Sequence, residues 1–294
     1  MHWGDLVAAK VAMHGQLVLG VDPAPEHAPH ALSQSPGSFL RRYTELLMVA
    51  APGLVGFVKF QSAFFEAFGS EGVAELARAI ALARELGYGV ILDSKCGDIG
   101  STAEAYARAY LSPAHAGGTD LEADCLTVNP FLGPRTIEPF VARARDFGKG
   151  LFVLVKTSNP DSGWLQDQRL DGRSVSELVA ELVARWAEET MGSSGVGAVG
   201  AVVGATHPEQ ARRLRALMPR STLLAPGLGP QGGDANALTS LTTKTGPVLV
   251  SASRGIAGVE DRDMPIEAYK TLVHDRIVAF AAVAKPPGSE RPMI

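Results

Sequence analysis

The chain has 294 residues, 46% of them hydrophobic and 20% charged, which is enough apolar material to bury a large core and too much for a disordered chain. Lys and Arg total 27 against 31 Asp and Glu, and the resulting net charge of -4 leaves no electrostatic footprint for nucleic acid or an anionic membrane surface. Two cysteines, Cys96 and Cys125, cannot make a disulfide framework and suit a reducing cytoplasm; the first residues lack the basic and apolar regions of a signal peptide, and no apolar run is long enough to span a bilayer.

In chain order, short β-branched and apolar runs at 17–22, 54–60, 89–94, 125–129, 151–156, 198–204, 222–225 and 248–251 read as strands. Helix-period stretches lie between them, for example at 72–86, 102–111, 175–189 and 208–217, with apolar residues on one face. Eight strands alternating with helices predict a closed (β/α)8 TIM barrel, with 1–294 as a single domain, because parallel strands need helical crossovers and bury both faces. An open doubly wound sheet is the alternative. Polar residues at the C-terminal ends of the runs favour the barrel: Asp22, Lys59, Asp93, Lys95, Asn129, Lys156 and Ser251. The stretch 23–37, with four prolines, reads as a long loop, 157–173 as a second of the kind that often forms a lid, and 285–294 as a frayed tail.

Residues i and i+2 of a strand face the same way, so Asp93 and Lys95 should share one side at the end of the third run. Lys59 sits near the end of the preceding strand, and Asp98 follows three residues after Lys95. An isolated Asp-x-Lys is better read as part of a structural salt-bridge network. Four charges of alternating sign at a barrel mouth point further, because such a set can press a carboxylate against a substrate carboxylate and offer an ammonium to the carbanion left behind. A second signal is the glycine-rich loop 226–234 after the seventh strand, paired with Ser253-Arg254-Gly255 after the eighth. Loops at these two places commonly bind phosphate, with backbone N–H groups freed by glycine and a planar guanidinium fork. The seven histidines, among them His14, His115 and His207, show no metal-ligand spacing, and Cys96 reads as a small packing residue.

Asp-x-Lys-x-x-Asp-Ile at 93–99, with Lys59 one strand earlier, resembles the orotidine 5'-phosphate decarboxylase family, and the resemblance runs from Asp22 to about Ile256. It implies a cytoplasmic homodimer that converts orotidine 5'-monophosphate to uridine 5'-monophosphate (UMP) and carbon dioxide in pyrimidine synthesis. No metal or organic cofactor is implied. By resemblance Lys95 protonates C6 of the pyrimidine, Asp93 sits beside the scissile carboxylate, and Lys59 links the charges to the ribose. Asp98 and Thr102 reach across the dimer interface into the partner's site. Asp22 binds ribose, Ser158 touches the base, and Gln231, Gly232, Gly233, Arg254 and Gly255 hold the 5'-phosphate. The Pro-rich segment after Asp22, the 129–133 segment and the 226–234 loop are similar to the longer bacterial branch of the family.

Three alternatives stay open on the residues alone. A metal-dependent sugar-phosphate lyase shares Asp-x-Lys-x-x-Asp; a class I aldolase would use Lys95 or Lys156 as a Schiff base; a phosphate-ligand binding barrel would use the charges only to hold its mouth together. Asp22 also suits a turn before Pro23, and Asn129 either lines the pocket or starts the turn at Pro130.

Overall fold

Eight of the chain's apolar runs are too buried to be edge strands, and they solve this by closing on one another. The computed structural model describes residues 1–32, 35–204, 208–226 and 241–285. Its strands are β1 (Leu17–Val21), β2 (Phe57–Gln61), β3 (Gly89–Cys96), β4 (Cys125–Val128), β5 (Gly150–Lys156), β6 (Arg169–Leu170), β7 (Arg173–Ser174), β8 (Val199–Val203), β9 (Leu223–Pro226) and β10 (Val248–Ala252). All but β6 and β7 form a closed barrel in the order β1-β10-β9-β8-β5-β4-β3-β2, parallel throughout. Closure removes both sheet edges, and β1, β8 and β10 are buried along their whole length.

The helices are α1 (Trp3–His14), α2 (Pro36–Val49), α3 (Ser62–Glu66), α4 (Gly69–Glu85), α5 (Gly100–Leu111), α6 (Glu138–Phe147), α7 (Gly163–Gln166), α8 (Val175–Glu189), α9 (Pro208–Leu217), α10 (Arg254–Ala257) and α11 (Ile266–Val283). None of the described helices is long and apolar enough to cross a membrane. The expected helices α8 and α9 have the predicted bounds, and α8 opens on a capping box in which Ser174 and Glu177 satisfy each other's backbone N–H groups. Strand β2 starts later than the run 54–60 suggests, because Gly53 at φ +76 and the Leu54 N–H to Ala51 bond form a turn first. The loop expected at 23–37 already contains two 3-10 turns and the start of α2, and the 157–173 loop contains α7 and most of the β6–β7 hairpin. Most of the tail expected at 285–294 lies outside the described residues.

The N-terminal end of the barrel is stoppered by α1. Trp3 is fully buried and meets Phe57 of β2 edge-on at 5.4 Å and Phe152 of β5 at 6.0 Å. Gly150 is required beneath it, since a Cβ there would come within 2.4 Å of the indole. Asp5 of the same helix accepts from Ser193 and Ser194; burial pushes its carboxyl up, but these bonds outweigh that and hold it at about 2. The stopper leaves the opposite end as the open one. Trp3→Ala should therefore lower unfolding free energy by about 3–5 kcal/mol in a denaturant titration, the cost of emptying a large aromatic site; a loss below about 1 kcal/mol would mean that α1 is not part of the core.

Candidate functional site

The polar residues at the strand ends meet at the open end of the barrel, around a cavity of about 730 Å³. That volume suits a ligand of nucleotide size. Register brings the charges together: Lys59 of β2 lies between Gly20 of β1 and Ile91 of β3, and Gln61 lies opposite Asp93. Lys59 Nζ donates to Asp93 Oδ2 at 2.9 Å and stands 3.9 Å from Asp22 Oδ1. Lys95 Nζ donates to Asp93 Oδ1 at 2.7 Å and reaches Gln61 Oε1 at 3.4 Å. Asp93 thus holds one ammonium on each oxygen.

Burial penalises the charged form of both Lys59 and Asp93, and in both the pairing wins. Asp93 is held well below the usual carboxylate range by Lys59 and Lys95, and Lys59 is raised by Asp93 and Asp22. Both ions are therefore charged across the whole neutral range. Asp22 Oδ1 is buried beside the Lys59 ammonium yet has no hydrogen-bond partner, so it can still accept a hydrogen bond at the cavity wall. Lys95 is the more open ammonium, with a side chain 42% exposed against 7% for Lys59.

The backbone at Lys95 departs from a regular strand. Its φ is +51, and the β3–β4 register shifts between Leu92 and Cys96. Simple alternation of strand faces therefore predicts the meeting of Asp93 and Lys95 but not the bend that achieves it. Cys96 sits just beyond, its thiol pushed up by burial and within 3.2 Å of Ser94 Oγ, as befits a packing residue.

Across the cavity lie Ser253, Arg254 and Gly255 at the end of β10. Gly20 allows this approach, since a Cβ there would fall 2.6 Å from Ser253 Cβ. Among the described residues the Arg254 guanidinium has no hydrogen-bond or ion-pair partner, and the residue is exposed at the cavity. Thr157, Ser158 and Asn159 line the wall after β5, with Ser158 seated against Gly204, where a Cβ would approach its backbone nitrogen to 2.9 Å. Among the described residues no group of three or more His, Cys, Asp or Glu side chains is placed to hold a metal ion.

The sequence profile described as Orotidine 5'-phosphate decarboxylase / HUMPS family matches residues 15–269. The chain belongs to this family. Among its relatives, the orotidine 5'-phosphate decarboxylase of Rhodopirellula baltica is 43% identical over 254 residues, 83% of this chain and 84% of that one. That of Deinococcus radiodurans is 48% identical over 219 residues, 74% of this chain and 76% of that one. Among solved structures, a putative orotidine 5'-phosphate decarboxylase from Streptomyces avermitilis superposes with a TM-score of 0.77 at 34% identity, covering 95% of both chains. The OMP decarboxylase of Leishmania donovani superposes at 0.71 with 31% identity, covering 96% of this chain and 99% of that one.

Within this decarboxylase-family chain, Lys59, Asp93, Lys95, Asp22, Ser158, Arg254 and Gly255 share one cavity. Asp98 does not join them, contrary to the expectation that four charges would gather in one place. It sits past the bend and accepts from Ile99 N–H at 2.8 Å, and Thr102 lies exposed on α5 beyond it. Gln231, Gly232 and Gly233 lie outside the described residues. Asn129 starts a turn, its Oδ1 accepting from Phe131 N–H, and is not part of the wall. Lys156 is shut away in a bidentate pair with Asp167 at 2.8 and 2.9 Å, so of the two lysines offered for the aldolase alternative only Lys95 faces the cavity.

Sequence reasoning missed Gln61, His27, Glu26 and Phe64, which also line the cavity, and Thr127 behind it. Gln61 was open to discovery, since it stands two residues after Lys59 on the same strand face. His27 and Glu26 sit in an irregular loop and carry no periodic signal. The charge pairing also has a pH signature. A depressed native carboxyl adds stability that is fully present above the unfolded value of about 3.9 and is lost as pH falls toward the lower native value. Asp93→Asn deletes that contribution, so below about pH 4 the wild type's thermal midpoint should fall more steeply than the variant's; parallel curves would show that Asp93 is not held in a depressed state.

Proposed function

We propose that the chain decarboxylates orotidine 5'-monophosphate to UMP, on the strength of one observation: a buried carboxylate, Asp93, gripped by Lys59 and Lys95 at the mouth of the barrel. The family membership and the names of the relatives agree with that reading. With the pyrimidine bound, Asp93 lies beside the substrate carboxylate and stays ionised because both lysines hold it so. The two like charges repel. The bond from C6 to the carboxylate carbon breaks, carbon dioxide leaves, and the electron pair remains on C6, where Lys95 Nζ stabilises it and supplies the proton. The neutral amine regains its proton from solvent. These steps call for no metal and no organic cofactor.

The remaining roles belong to the same proposal. Lys59 and the Asp22 oxygen that lacks a hydrogen bond receive the ribose hydroxyls, Ser158 meets the base edge, and Arg254, with Gly255 and the Gln231–Gly233 segment, holds the phosphate. Asp98 and Thr102 serve the site of a second copy; their position outside this chain's own cavity, with Ile99 exposed next to Asp98, supports a homodimer that shares residues. A reducing cytoplasm suits the two free thiols.

Loss of the orotate absorbance in the presence of orotidine 5'-monophosphate, unaffected by a chelator, is the expected assay result. Turnover that the chelator abolishes would favour the metal-dependent sugar-phosphate lyase, and none at all would remove the decarboxylase reading. Lys95→Ala should retain UMP binding and lose at least about 10³-fold in kcat, as befits removal of the proton donor. Mixed Lys95→Ala and Asp98→Ala proteins, each inactive alone, should regain activity in hybrid dimers; subunit exchange without rescue would rule out a shared site.

A further inference from the structure

The Thr127 hydroxyl of β4 stands behind the charge array and touches it twice. Thr127 Oγ1 accepts the backbone N–H of Lys95 at 2.9 Å and donates to Asp93 Oδ1 at 2.9 Å. A backbone N–H can only donate, so the hydroxyl's one proton is committed to the carboxylate. Thr127 is fully buried, which leaves no solvent to replace either bond.

The first bond has a specific origin. The β3–β4 ladder is interrupted between Leu92 and Cys96, and Lys95 takes a left-handed φ of +51, a conformation unfavourable for a residue with a side chain. A side-chain oxygen thus stands in for the missing strand partner at the strained residue. The second bond fixes the Asp93 oxygen that also receives Lys95 Nζ.

We propose that Thr127 is a positioning residue for the decarboxylation: its hydroxyl locks the bent backbone of Lys95 to the carboxylate of Asp93, so that ammonium and carboxylate meet the substrate as one rigid unit. This rests on the function proposed above and adds a residue that lies outside the cavity wall. Threonine at this place is otherwise readable as a strand residue chosen for shape, which valine would match.

The test compares wild type, Thr127→Val and Thr127→Ser for kcat, KM and thermal midpoint with orotidine 5'-monophosphate. Thr127→Val should lower kcat about 10- to 100-fold, the effect of two buried hydrogen bonds with one to a charge, while KM stays within about threefold. Thr127→Ser, which keeps the hydroxyl and loses the methyl, should return kcat to within about threefold of wild type. Should Thr127→Val fail to fold, Thr127→Ala takes its place. A hydroxyl-free variant with wild-type kcat, or a serine variant as impaired as it, overturns the positioning role. A wild type that forms no UMP removes the decarboxylase reading and this inference with it, whereas an active wild type beside an equally active Thr127→Val overturns the inference alone.

Discussion

One carboxylate between two ammonium groups organises the open end of this barrel. Burial alone would push Asp93 toward its neutral form, and Lys59 and Lys95 hold it ionised, while Asp93 in turn keeps the buried Lys59 charged. Taking an ion out of water costs several kcal/mol, and mutual attraction offsets that only when geometry is good and the remaining lone pairs are filled. Here Asp93 receives three donors, from Lys59, Lys95 and Thr127. The result is a negative charge that cannot be neutralised by protonation near pH 7, set at the edge of a cavity. For a substrate that carries its own carboxylate, such a site is hostile until carbon dioxide departs.

The barrel makes this arrangement possible at little structural cost. Closed parallel strands aim their C-terminal ends at one place, so residues distant in sequence become neighbours through register alone. Small residues sharpen the fit: Gly20 lets the β10 end close in behind Arg254, and Gly204 lets Ser158 lie against β8. At the other end Trp3 fills the barrel and leaves one mouth open. Lys156 shows the contrast between an enclosed and an open lysine on the same rim, since Asp167 from the returning loop pairs with it while Lys95 stays accessible.

Much of this was legible in the residues. The β-branched runs mark the strands because parallel strands buried on both faces admit little else, and Asp93-x-Lys95 with Lys59 marks the charge array because paired opposite charges at strand ends have few other uses. The family resemblance extended those signals to Asp22, Ser158 and Arg254. Other features left no trace in spacing. The left-handed φ of Lys95 follows from an interrupted ladder, which depends on β4 as much as on β3, and the two bonds of Thr127 exist only because of that bend. The partner of Lys156 lies in an irregular loop eleven residues on, and Asp98 lies outside the lining of its own cavity, a placement fixed by chain path rather than by residue type.

The most direct check on the charge array's role is a crystal structure of the chain with UMP bound. C6 of the pyrimidine should rest against Lys95 Nζ with an Asp93 oxygen alongside, the phosphate on Arg254, and Asp98 of a second copy completing the site. A nucleotide seated with C6 turned away from Lys95 and Asp93 would contradict it.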